Sequence, residues 1–121
     1  MSDTDQPATR RRCNYLTVSQ AYNLNVACRP LASLGYGLYQ VGSSLERADY
    51  RDVDLRCILA DDEYDRMFAD DKSGKIVRFF SVAISEWIAA RTGLPIDFQF
   101  QRETEANANF SGIRNAVGIA Q

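Results

Sequence analysis

Two runs of the chain alternate polar and apolar residues with a period of two. From Asp52 to Leu59, Asp52, Asp54 and Arg56 fall on one face and Val53, Leu55, Cys57 and Leu59 on the other. From Ile96 to Gln101 the alternation returns, with Ile96, Phe98 and Phe100 set against Asp97, Gln99 and Gln101. Such runs predict half-buried strands. Leu38 to Val41, apolar and closed by Gly42, predicts a third, shorter strand.

Elsewhere the period is helical. Thr17 and Gln20 have the spacing of a capping box, and Ala21, Leu24, Cys28, Leu31 and Leu34 then recur at intervals of three and four. Pro30 should kink or split this helix, because it brings no N–H and its ring clashes with the preceding turn. Gly35 and Gly37 should end it. Asp61, Asp62 and Glu63 open a short helix, where the dipole favours acids, with Tyr64, Met67 and Phe68 as its apolar stripe. After a break at Lys72-Ser73-Gly74 comes the strongest helix, Lys75 to Thr92. Ile76, Phe79, Phe80, Ala83, Ile84, Trp87 and Ile88 are expected to form its inward face, with Gly93 and Pro95 stopping it.

Residues 1–12 are polar and aperiodic and read as a disordered arm, with Arg10, Arg11 and Arg12 solvated. Residues 102–121, rich in Asn, Ala and Gly, read as an irregular tail. Between them, residues 13–101 run helix, strand, strand, helix, helix, strand. That order argues for a single α+β domain: a small mixed sheet with helices packed on one face. The polar face of the sheet would then gather Asp52, Asp54 and Asp97.

Composition narrows the chemistry. A chain of 121 residues has room for one core. A net charge of −2 gives no signal for binding long duplex nucleic acid. No apolar run approaches the roughly 20 residues that span a bilayer, and no apolar stretch opens the chain, so a cytoplasmic protein is expected. The cysteines, Cys13, Cys28 and Cys57, are odd in number and widely spaced, and there is no histidine to complete a zinc site. They read as reduced, mostly buried thiols. The lack of histidine also removes Ser-His and Cys-His nucleophilic catalysis. Any reaction must run on carboxylates, a metal, or Lys and Arg.

Two segments carry such chemistry. Asp52 and Asp54, at i and i+2 on a strand, point the same way. Their mutual repulsion favours a divalent cation between them. Val41-Gly42-Ser43-Ser44 is a Gly-Ser turn, and Ser43 with Glu46 has the spacing of a capping box. Such a turn offers backbone N–H groups to a phosphate. Together they point to a metal-bound phosphate ester, with Arg47, Arg51 and Arg56 as cations that could neutralise it.

The ordered set of an apolar residue with Gly42-Ser43, then Asp52-Val53-Asp54-Leu55, then the later Asp97 resembles the polymerase-beta-like nucleotidyltransferase superfamily, in its minimal single-domain form. The resemblance covers roughly Leu38 to Gln101. Gly-Ser-Ser-Leu-Glu-Arg from Gly42, Asp-Tyr-Arg-Asp-Val-Asp from Asp49 and Leu-Pro-Ile-Asp-Phe-Gln from Leu94 are similar to small nucleotidyltransferase-like proteins of tailed phages and actinobacteria. The resemblance implies that Gly42, Ser43 and Ser44, helped by Arg47, Arg51 and Arg56, hold the phosphates of a nucleoside triphosphate such as ATP. It implies that Asp52, Asp54 and Asp97 bind two Mg²⁺ ions, about 3.5–4 Å apart in such sites. The expected activity is transfer of a nucleoside monophosphate to an unidentified hydroxyl acceptor, in the cytoplasm of a bacterium or phage-infected host. A second copy or a protein partner would supply acceptor recognition. The alternatives are an antitoxin-type module, or a non-catalytic nucleotide-binding or assembly module of the same fold. The chain departs from the pattern in two ways. Its gap of eight residues between Ser43 and Asp52 is short, and Arg56 stands on the carboxylate face where an apolar residue is frequent.

Overall fold

Val53, Leu55, Cys57 and Leu59 are buried, and the residues between them are partly exposed. The alternating run is therefore a strand with one face on the core. In the computed structural model, which describes residues 14–109 and 112–119, it is one of four strands. The elements in order are helix α1 (Val18–Ala32), strand β1 (Gly37–Val41), a 3-10 turn (Gly42–Leu45), strand β2 (Val53–Leu59), helices α2 (Asp61–Met67) and α3 (Lys75–Thr92), strand β3 (Ile96–Arg102), helix α4 (Glu103–Asn109) and strand β4 (Asn115–Ala116). The arm at 1–12 and Cys13 lie outside the described residues.

The strand order is β3-β2-β1-β4. β1 runs antiparallel to β2 and β4, and β2 runs parallel to β3. A parallel pair needs a long crossover, which α2 and α3 supply. The result is the expected α+β class with a mixed sheet. Leu24, Ala27 and Cys28 of α1 join Leu38, the inward residues of β2, Ile88 of α3 and Phe98 of β3 in one core. Tyr64 and Phe68 fasten α2 through Phe100 to Phe98, with successive ring centroids 5.0, 5.4 and 5.0 Å apart. Met67, expected in that stripe, is exposed instead.

The capping box of α1 forms in both directions: Gln20 N–H donates to Thr17 Oγ1 at 3.1 Å, and Thr17 N–H to Gln20 Oε1 at 2.8 Å. Pro30 does not split the helix. It sits near the end of α1, which runs on to Ala32. Both Pro30 and Val26, whose carbonyl its N–H would have bonded, are exposed. α3 has the expected bounds, closed by a left-handed Gly93. Its start is capped from outside: Asp71 accepts from the N–H groups of Ile76 (3.0 Å) and Val77 (2.9 Å). Those bonds hold the Asp71 carboxyl below its usual range.

The inward face of α3 is not the one its apolar stripe indicates. Ile88 is buried and Ile84 packs on the core, but Ile76, Phe79, Phe80, Ala83 and Trp87 are exposed. The side turned to the sheet carries Val77, Ser81 and Ser85, each half-buried. The cause is a bond to the sheet edge. Ser85 Oγ accepts the Phe98 N–H of β3 at 2.9 Å, which satisfies a donor that an edge strand would otherwise leave open. Ser81 and Ser85 in turn donate to the carbonyls of Val77 and Ser81.

The described part of the expected irregular tail, residues 102–109 and 112–119, holds a helix and a strand. α4 begins where Asp61 accepts from the backbone N–H of Thr104 at 3.1 Å and from its hydroxyl. The Thr104 hydrogen bonds hold the Asp61 carboxyl below its usual range. β4 pairs with β1, and Asn25 Oδ1 accepts from the N–H groups of Gly118 (2.6 Å) and Ile119 (3.2 Å). α4 also adds a helix to the polar face of the sheet, where it buries Ala106.

Gln40 lies on the core face of β1 with no exposure. Its Oε1 accepts from Asn14 Nδ2 (2.9 Å) and Asn115 Nδ2 (3.1 Å). Its Nε2 donates to Asn14 Oδ1 (3.1 Å) and Ser44 Oγ (2.9 Å). Cys28 and Cys57 are buried free thiols, and burial pushes both up to about 12, so neither is a ready nucleophile. Among the described residues no helix is long and apolar enough to cross a membrane.

Gln40→Ala should cost about 2–4 kcal/mol, from a cavity plus the orphaned amides of Asn14 and Asn115. Asn115→Ala should cost about 1 kcal/mol. Urea denaturation checks both, and a Gln40→Ala protein with wild-type stability would show that this network contributes nothing.

Candidate functional site

Strand register builds the site. Val41 of β1 lies opposite Asp54 of β2, and Asp54 lies beside Asp97 of β3. Tyr39, Arg56 and Gln99 form the next row. The period of two places all these side chains on the face away from the core. Asp52 precedes β2 by one residue and is exposed.

Gly42 shapes one wall. Its φ is 80°, and a Cβ added there would sit 2.6 Å from Asp54 Oδ2. A side chain at 42 would thus be strained twice, by its left-handed backbone and by the carboxylate. Burial raises the Asp54 carboxyl above its usual range; Arg56 opposes that rise, and Asp97 and Asp52 add to it by repulsion. All three carboxylates therefore share one electrostatic neighbourhood.

Arg56 is the cation in that neighbourhood. Its side chain is only 15% exposed. Nη1 donates to the carbonyls of Leu55 (2.9 Å) and Asp97 (2.8 Å), and Nη2 lies 3.6 Å from Asp97 Oδ2. The guanidinium ties β2 to β3 and partly balances the acids.

A cavity of about 180 Å³ opens between Gly42, Asp54, Arg56 and Gln101 on the sheet, Asn109 of α4, and Arg114. Arg114 also donates to Asn107 Oδ1 at 2.9 Å. Small-molecule pockets run from about 300 to 1,000 Å³. This one suits a phosphate-sized group more than a whole nucleotide. A groove of about 590 Å³ lies between α3 and β3, and Asp97 borders it together with Arg78, Ser85 and Glu86.

The structure thus gathers Gly42, Asp54, Arg56 and Asp97, with Asp52 near enough to act on Asp54. It places other candidates elsewhere. Ser44 is buried, with its hydroxyl turned into the core and held by Gln40. Ser43 is partly exposed, and its carbonyl accepts from the N–H groups of Glu46 (2.9 Å) and Arg47 (2.8 Å). The 3-10 turn opens at Gly42 and has no side-chain cap, so Ser43 and Glu46 do not form a capping box. Arg47 pairs with Asp49 at 3.5 Å on the surface, where such a pair contributes little. Arg51 is exposed, and neither arginine lines the cavity. Gln101, Asn109 and Arg114 line it although the sequence reading did not single them out. Gln101 was readable as the next outward residue of β3. The other two depend on where α4 docks.

Asp52, Asp54 and Asp97 offer the hard oxygen donors that magnesium takes. Asp97 is already answered by Arg56. Among the described residues no three His, Cys, Asp or Glu side chains are grouped so as to hold a metal ion. Comparison with models of protein families, with curated proteins and with solved structures finds no match to this chain.

Two outcomes follow for stability. A carboxyl raised in the folded state contributes stability that is complete below the ordinary carboxylate range and lost as pH rises through the folded value. Asp54→Asn should therefore raise the Tm at pH 7, by an increment that shrinks towards about pH 4. A Tm lowered equally at both pH values would contradict this. Gly42→Ala should cost about 1–3 kcal/mol, and adding Asp54→Ala should recover part of that loss by removing the clash, which a double-mutant cycle measures.

Proposed function

We propose that the polar face of the sheet binds a nucleoside triphosphate with magnesium and transfers its nucleoside monophosphate to a hydroxyl acceptor. The observation that carries this reading is the alignment of Asp54 with Asp97 across parallel strands, beside a left-handed Gly42 whose Cα leaves room for the Asp54 carboxylate. The resemblance to minimal nucleotidyltransferases, carried by the same residues, points to the same chemistry.

Each residue then has a role. The phosphates enter the cavity, where the Arg56 and Arg114 guanidiniums meet their charge and the backbone at Gly42 and Ser43 approaches them. Asp52, Asp54 and Asp97 would hold magnesium, with two ions as the resemblance implies, if binding drew these acids together; the metal would then withdraw charge from the phosphate oxygens. Asp97 borders the larger groove, which has room for the rest of the nucleotide or for an acceptor. It takes the proton of the acceptor hydroxyl as that oxygen attacks the α-phosphorus. The bond from the α-phosphorus to the bridging oxygen breaks, and pyrophosphate leaves.

The position of Arg56 favours a second reading, a nucleotide-binding module without turnover. A guanidinium already beside Asp97 answers that carboxylate without a metal ion.

Incubation with nucleoside triphosphates and Mg²⁺ separates the two. The wild-type chain should release pyrophosphate, and Asp52→Ala/Asp54→Ala should release it at least about 100-fold more slowly. Equal release from both would falsify the transfer reading. Saturable nucleotide binding by calorimetry with no pyrophosphate would select the second.

A further inference from the structure

α3 turns serines to the sheet and aromatics to solvent. Ile76, Phe79, Phe80 and Trp87 are 47, 66, 44 and 38% exposed, and they lie with Ala83 along one side of an 18-residue helix. Such a helix is about 27 Å long, and a contiguous apolar strip of that length marks an interaction surface. Arg91 stacks on the Trp87 ring at 3.7 Å to its centroid, which steadies the indole at the rim.

The charges beside the strip identify what covers it. Lys75 and Glu86 are eleven residues apart, three helical turns, and so stand on the same flank. Lys75 and Arg78 are exposed in the first turn of α3, whose backbone N–H groups are already capped by the Asp71 carboxylate. The ion pairs found within the described chain involve none of Lys75, Arg78 and Glu86. An antiparallel copy of the same helix resolves all of this. In a two-fold pair each flank faces its own symmetry mate, so Lys75 of each copy meets Glu86 of the other, and the contact occurs twice.

We propose that this face of α3 is an isologous dimer interface, in which a second copy of the chain packs its α3 antiparallel against the first. The aromatic residues are its core and the Lys75–Glu86 pairs set its direction. Val82, Arg78 and Glu86 also border the groove that reaches Asp97, so the partner helix lies along the open side of that groove. The pairing does not depend on the nucleotide reading.

Sedimentation equilibrium of the full chain tests it. Two copies of the 13.6 kDa chain should be found. Phe79→Glu should weaken the dimer about thirtyfold or more while leaving the far-ultraviolet circular dichroism unchanged, because Phe79 packs little within one copy. Glu86→Lys should also weaken it, and Lys75→Glu/Glu86→Lys should restore it. A pure chain that stays at 13.6 kDa across the accessible concentrations overturns the proposal, whether the strip is then covered by another protein or by the chain's own ends. A dimer indifferent to Phe79→Glu overturns it as well.

Discussion

A buried primary amide has two donors and two acceptor positions, and a buried polar group left without a partner costs about 1–3 kcal/mol. Gln40 has all four positions inside the protein, and the fold answers each one: Asn14 twice, Ser44 once and Asn115 once. The partners come from the segment before α1, the turn after β1 and the last strand. One side chain therefore fixes where the chain enters, where the Gly-Ser turn lies and where β4 pairs. The effect reaches the site. With the Ser44 hydroxyl held in the core, the turn is anchored, and the adjacent Gly42 is set against the Asp54 carboxylate.

What was legible in the sequence was local. β2 declares itself by alternation, and α3 by the glycines and proline that punctuate it. The three carboxylates could be assigned to one face because a strand allows only two. What was illegible rests on distant partners. The start of α4 is capped by Asp61, forty-three residues earlier in the chain, so no capping box announces it. β4 exists because Gln40 and Asn25 offer bonds to it. The orientation of α3 failed for a different reason. An apolar stripe shows which side of a helix avoids water, but not whether its cover comes from the same chain. Here the nearer demand was the edge of β3, which a small serine hydroxyl can meet at 2.9 Å and an aromatic ring cannot.

The polar face is organised around a half-buried acid. Burial first of all raises the Asp54 carboxyl; Arg56 opposes the rise, and Asp97 and Asp52 add to it by repulsion. A site tuned only for stability would replace Asp54 with a neutral residue. Keeping an acid there, against Gly42 and beside Asp97, holds energy that a bound cation or a cation-carrying phosphate would recover. Arg56 limits how much is recovered. It bonds two backbone carbonyls as well as pairing with Asp97, so it is part of the β2–β3 seam and cannot simply swing away. On the proposed nucleotide reading, the placement of Arg56 would thus decide between transfer and mere binding more sharply than the acids do.

α3 connects this chemistry to assembly. Its inner side seals the strand that carries Asp97, and its outer side is the apolar strip. One flank of that strip borders the groove ending at Asp97. The small cavity near Asp54 suits phosphate more than a base or an acceptor. Recognition of anything larger must use the groove, and within one copy the groove is open. A surface placed against the outer side of α3 would be the missing wall. In the proposed pairing a second copy would supply that wall, and the aromatic strip and the incomplete groove would be two aspects of one requirement.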